Sequence, residues 1–185
     1  MSERLISSWQ INSDWTLFLD RDGVINKEKY KSYIKTIEEF KFIDGVLESL
    51  KILSNIFPRI IIVSNQQGVG KGLMTMDKLN EISNYMIEKV KKFGGRIDAC
   101  YYATDLKISK SNLRKPGTGM ADLAKKDFKK IDFNKSVIIG NSSTDIKFGE
   151  KLGMKTVYIG KSINISYDVL SENLFSFTKS LICNM

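Results

Sequence analysis

Four clusters of acid, amide, hydroxyl and base punctuate this chain: Asp20-Arg21-Asp22-Gly23, Ser64-Asn65-Gln66, Arg114-Lys115-Pro116 and Gly140-Asn141-Ser142-Ser143-Thr144-Asp145. Two carboxylates two residues apart suit covalent phosphoryl transfer. Asp20 can attack phosphorus and form an acyl phosphate that water later hydrolyses. Asp22 can protonate the leaving oxygen and then activate that water. Acids this close repel, so the pair asks for a divalent cation, and an all-oxygen donor set suits Mg²⁺. Lys115 and the Ser64 hydroxyl would hold phosphate oxygens as their charge is redistributed.

Such chemistry needs the clusters to converge, and the hydrophobic pattern predicts elements that do this. Apolar runs at 16–20, 59–64, 97–103, 136–139 and 155–159 read as five strands. Between them lie helical periods at 44–55, with Asp44 as its cap, 75–93, closed by Gly94-Gly95, 117–130 and 142–152, stopped by Gly153. A last helix is expected over about 169–181. Strands alternating with helices predict an α/β fold: a doubly wound, mainly parallel sheet with helices on both faces. Ligands bind beyond the carboxyl ends of such strands, and three of the clusters directly follow a strand.

Composition narrows the alternatives. At 185 residues and 42% hydrophobic, the chain is expected to form one domain spanning 1–185. It has no His and only Cys100 and Cys183, which excludes a His-based triad, a His-based zinc site and a disulfide framework. Its longest aliphatic stretch, Ile60 to Val63, cannot cross a bilayer, and the first fifteen residues lack a signal-peptide core. A cytoplasmic monomer with no membrane partner is therefore expected. The net charge of +8 favours an anionic partner. Only five of the 29 basic residues are Arg, with no aromatic interleaving, so nucleic acid is not the expected partner. The Gly68–Gly72 run lacks P-loop spacing and reads as a flap or substrate loop; Tyr101-Tyr102 reads as strand packing.

Read together, FLDRDGVIN (18–26), YI (33–34), FKFIDGV (40–46), VSNQQGVGKG (63–72), GGRID (94–98), RKPGTGM (114–120), IGNSSTD (139–145) and LGMKTVYIG (152–160) resemble the haloacid dehalogenase superfamily. The DRDGVIN form is similar to its heptose-bisphosphate and histidinol-phosphate phosphatase group. That resemblance implies a Rossmann-like core and a Mg²⁺-dependent phosphatase acting on a small phosphorylated sugar, a heptose bisphosphate used in surface-polysaccharide precursors. It implies Asp20 as nucleophile and Asp22 as acid/base. It further implies Arg21, Asn65, Gln66 and Arg114 on substrate, Ser64 and Lys115 on phosphate, and Asp20, Asp22, Asn141 and Asp145 around the metal.

The chain departs from the group twice. The Cys and His zinc ligands that usually precede RKP are absent, so no zinc is expected. The metal-binding Asp of the fourth motif is Asn141, which predicts weaker Mg²⁺ binding, since a unit charge at about 4 Å is worth roughly 4 kcal/mol at an effective dielectric of about 20. The 41 residues of 23–63 and the 50 of 65–114 leave no room for a cap domain, so loops 23–43 and 105–113 are expected to set specificity. Two other readings stay open: a 3′-phosphatase on nucleic-acid ends, which RKPGTGM also resembles, and a non-catalytic phosphate binder.

Overall fold

All four residues of β1 (Thr16–Leu19) are buried, and their alternation decides which layer each side chain joins. In the computed structural model, which describes residues 6–109, 111–162 and 164–184, Leu17 and Leu19 enter one core and Phe18 the other. β2 (Arg59–Asn65) divides the same way, Ile60 and Ile62 against Ile61 and Val63, and β4 (Ser136–Gly140) sets Val137 and Ile139 against Ile138. A strand buried on both faces must be apolar throughout, which is why RIIIV and SVII read as unbroken runs.

With β3 (Ala99–Ala103), β5 (Lys155–Ile159) and β6 (Val169–Ser171), these strands form one six-stranded sheet ordered β3-β2-β1-β4-β5-β6, every neighbouring pair parallel. Helices α1 (Val46–Ile56), α3 (Met76–Lys92) and α6 (Leu174–Ile182) pack their apolar sides into the first core. Met120, Ala121 and Ala124 of α4 (Gly119–Asp127) and Phe148 of α5 (Ser143–Leu152) fill the second. α2 (Gln67–Gly70) is a single helical turn after β2, in the glycine-rich run that the sequence marks as a flap or substrate loop. Chain order reverses between β1 and β4, so the crevice for a ligand lies there. Among the described residues neither 23–45 nor 65–114 holds an inserted domain, and no helix is long and apolar enough to cross a membrane. Residues 1–5, part of the segment in which no signal core was found, lie outside the described residues.

Two expectations need correction. Residues 169–171 are a strand, not the start of the last helix. Asp168 fixes them by accepting from Thr156 N at 2.7 Å and Thr156 Oγ1 at 3.0 Å, which brings Val169 into register with Val157. The helix starts later, where Asn173 Oδ1 accepts from Ser176 N at 2.8 Å. Asp44 does not cap α1 either. Gly45 occupies the cap position in a left-handed conformation (φ 77°), which leaves Asp44 exposed one residue too early.

Candidate active site

β1 hands over to the site without breaking its ladder: Asp20 N donates to Ile139 O at 3.0 Å, so the first residue past the strand is still tied to β4. The chain then turns tightly. Ile25 N and Asn26 N both donate to Arg21 O, at 2.8 and 3.2 Å, and Gly23 N donates to Asn26 O at 2.7 Å. Gly23 has φ 82°, and a Cβ there would fall 1.9 Å from Asn141 Nδ2. A bare α-carbon is what lets the Asn141 amide lie against the 22–23 backbone.

Lys115 is the centre of charge. Its Nζ donates to Val63 O at 2.6 Å and pairs with Asp145 Oδ1 at 2.5 Å and Asp20 Oδ1 at 3.1 Å. The residue is 2% exposed. Burial opposes its charge, but Asp145 and Asp20 outweigh that and hold its pKa above the ordinary lysine value. Burial pushes the Asp20 carboxyl up to about 6 against the pull of Lys115; Asp145 and Asp22 push the same way, and the Ser64 hydroxyl draws it down. Arg21 N also donates to Asp20 Oδ1, at 2.8 Å.

Asp145, which the resemblance sets at the metal, is held here by the start of α5 and by Lys115. Its Oδ2 accepts from Ser142 N at 3.0 Å and Ser142 Oγ at 2.6 Å, closing the amino terminus of α5, while Oδ1 faces Lys115. The helix start takes Oδ2, and Oδ1 is left to its ion pair with the lysine. Gly140 makes this possible, since a Cβ there would lie 2.2 Å from Asp145 Cβ.

Asp22 is held from three directions. Arg21 Nη2 reaches its Oδ1 at 3.1 Å and Oδ2 at 3.0 Å, Asn26 Nδ2 donates to Oδ1 at 2.8 Å, and Gln66 Nε2 donates to Oδ2 at 2.7 Å. Here the expected substrate contacts change. Arg21 is fully buried and Gln66 is 1% exposed; Gln66 bonds within the site through its whole amide, and Arg21 does so through Nε and Nη2. Asn65 is turned to the Lys115 backbone. Arg21 and Gln66 thus lie behind Asp22, while Asn65 holds the Lys115 backbone at the edge of the concavity. Arg114 Nη1, like Arg21 Nη1, is buried without a hydrogen-bond partner among the described residues. Ser64 stays at the strand end, 2% exposed. Asn26 was not singled out in the sequence; its four-residue spacing from Asp22 was the available signal.

A concavity of about 170 Å³ opens beside Asp22 and Asn65 and is walled by Glu28, Ser32, Tyr33 and Ile34. A larger one, about 670 Å³, lies at the opposite end of the strands beside Arg59 and Lys135. The carboxylates and the parallel-sheet geometry both favour the smaller.

Among the described residues Asp20, Asp22 and Asp145 form ion pairs only with Lys115 and Arg21, so this cluster of five carries an excess negative charge before any phosphate arrives. Among the described residues no three His, Cys, Asp or Glu side chains gather as metal ligands. A cation here would rely on Asp20 and on neutral oxygens, the Asn141 amide and the main-chain carbonyl of Asp22. That set is oxygen only and fits a hard divalent ion.

The family described as polynucleotide kinase 3 phosphatase matches residues 16–161. A D-glycero-alpha-D-manno-heptose-1,7-bisphosphate 7-phosphatase of Photorhabdus laumondii is 30% identical over 182 residues, 92% of this chain and 98% of that protein. One of the same description from Burkholderia mallei is 33% identical over 151 residues, 77% of this chain and 78% of that protein. Among solved structures, a D,D-heptose 1,7-bisphosphate phosphatase from B. bronchiseptica, complexed with magnesium and phosphate, superposes with a TM-score of 0.84 at 22% identity, covering 92% of this chain and 99% of that one. That last likeness bears on the fold.

Proposed function

The chain belongs to the polynucleotide kinase 3 phosphatase family and, within the haloacid dehalogenase superfamily, to the heptose-bisphosphate phosphatase group, and on that premise we propose that it removes a phosphate from a heptose bisphosphate or a closely related sugar phosphate. It is a hydrolase of phosphoric monoesters. The observation that carries the reading is the pairing of Asp20 with buried Lys115, with Asp22 two residues on.

Arg21 N and Lys115 Nζ both fall on Asp20 Oδ1, which leaves Oδ2 to attack phosphorus. The new bond joins that oxygen to phosphorus as the ester P–O bond breaks, and Asp22 gives a proton to the departing alkoxide. Asp22 then takes a proton from the water that cleaves the acyl phosphate and returns Asp20 as a carboxylate. Lys115 and Ser64 meet the phosphoryl oxygens, and Arg114 meets the rest of the substrate. Asp20, Asn141 and the Asp22 carbonyl would hold Mg²⁺, which when bound supplies positive charge to the phosphoryl group.

Phosphate release with Mg²⁺ from heptose 1,7-bisphosphate, histidinol phosphate and a 3′-phosphorylated oligonucleotide tests this. The highest kcat/KM is expected on the sugar bisphosphate. The matched family's own description keeps the oligonucleotide as the second reading, and a preference for it would replace the first.

A further inference from the structure

Gln66 offers one amide to three partners. Its Nε2 donates to Asp22 Oδ2 at 2.7 Å and to Ser64 Oγ at 3.0 Å, and its Oε1 accepts from Arg21 Nη2 at 3.0 Å. All of its hydrogen-bonding capacity faces inward, and the side chain is 1% exposed. The two Nε2 partners are the residues assigned to opposite ends of the reacting bond: Ser64 to the phosphoryl oxygens, Asp22 to the leaving oxygen. Arg21 extends the same brace. Its guanidinium bonds both Asp22 oxygens and lies 6.0 Å from the centre of the Tyr102 ring, whose hydroxyl is 2.7 Å from Ser83 Oγ on α3. A chain of contacts thus runs from a helix through β3 to Asp22, with Gln66 joining it to the end of β2.

We infer that Gln66 is a positioning residue that couples the proton donor Asp22 to the phosphate-holding Ser64, fixing their separation so that protonation of the leaving group accompanies phosphoryl transfer. The amide suits this task because it donates to two oxygens while accepting from the guanidinium. A carboxylate could keep the Arg21 bond but would turn both donated bonds into repulsion or competition. A thioether would fill the space and bond to none of them. The inference rests on Asp20 and Asp22 acting as proposed above.

The test compares two leaving groups. An alkyl phosphate needs its leaving oxygen protonated; 4-nitrophenyl phosphate leaves as a stable anion and does not. For each, kcat/KM reports steps up to transfer of the phosphoryl group to Asp20. Gln66→Met and Gln66→Glu are expected to lose about 100-fold in kcat/KM on the sugar phosphate, at the low end of what general acid catalysis supplies, and less than about tenfold on the nitrophenyl ester. Gln66→Glu keeps the size and the Arg21 partner, so it holds the fold should Gln66→Met fail to. An equal loss on both esters in the folded variant would show a merely structural Gln66 and overturn the inference. Wild-type protein that hydrolyses neither ester would instead remove the phosphatase reading beneath it.

Discussion

Asn65 grips the Lys115 peptide unit on both sides, Oδ1 accepting from Lys115 N at 2.9 Å and Nδ2 donating to Lys115 O at 3.2 Å. The end of β2 thereby fixes the backbone from which Lys115 reaches Asp20 and Asp145. Asn65→Ala leaves both main-chain groups without these partners, a cost of about 1–3 kcal/mol for a group deprived of its bond in a part-buried setting. Urea denaturation should register that loss. Turnover should fall with it, because the Nζ position depends on the backbone that carries it.

Lys115→Met removes the only cation paired with Asp20 and Asp145 among the described residues. Breaking a buried pair from one side costs about 3–5 kcal/mol, because a charge is left uncompensated. Denaturation at neutral pH should show it. The penalty should shrink as the pH falls, since the stranded carboxyls can then take up protons, and Asp145→Asn in the same background should recover part of the stability.

Asp20 has its own pH signature. Its native pKa of about 6 lies above the ordinary 3.8, so the native state holds a proton that the unfolded chain has already released. The contribution is fully present below about pH 4 and is lost as pH rises through about 6. Asp20→Asn has no such dependence. Without divalent cations, the stability of the wild type relative to Asp20→Asn should therefore fall by roughly 3 kcal/mol between acid and neutral pH, from a shift of about two units at about 1.4 kcal/mol each. A pH-independent difference would contradict the assignment.

Asn141→Asp restores a charge where the structure sets an amide against Gly23. Mg²⁺ affinity, read by isothermal titration, should tighten at least about tenfold, a fraction of the roughly 4 kcal/mol that an ideal charge at contact would add. An unchanged affinity would place the cation away from this corner.

How much of this was legible in the sequence follows from what each residue answers to. Strand interiors were plain because two-sided burial forces apolar runs such as Ile60 to Val63. β6 was hidden because three residues carry too little periodicity, and its place depends on Asp168 reaching Thr156, twelve residues back along the chain. The charged clusters announced the site, since a strand end followed by acid, hydroxyl or lysine is a local pattern. Their division of labour was not legible. The resemblance sets Arg21, which lies between two acids, and Asn65 and Gln66, which follow Ser64, on the substrate. Only tertiary contacts show what each of them holds, Asn65 the Lys115 backbone and Gln66 and Arg21 the Asp22 carboxylate. The spacing of Asp145 from Asn141 suits a metal ligand, and only the tertiary contacts show its oxygens beside Ser142 and Lys115 as well.

The account stands on Asp20 carrying the phosphoryl group. Acid quenching within the first turnover on substrate, followed by borohydride reduction and peptide mass spectrometry, reads that directly, because reduction converts an acyl phosphate to an alcohol at the residue that bore it. The expected result is a single modified position, Asp20, absent when substrate is omitted. Modification at another residue, or full turnover with Asp20 unmodified at every quench time, would contradict it.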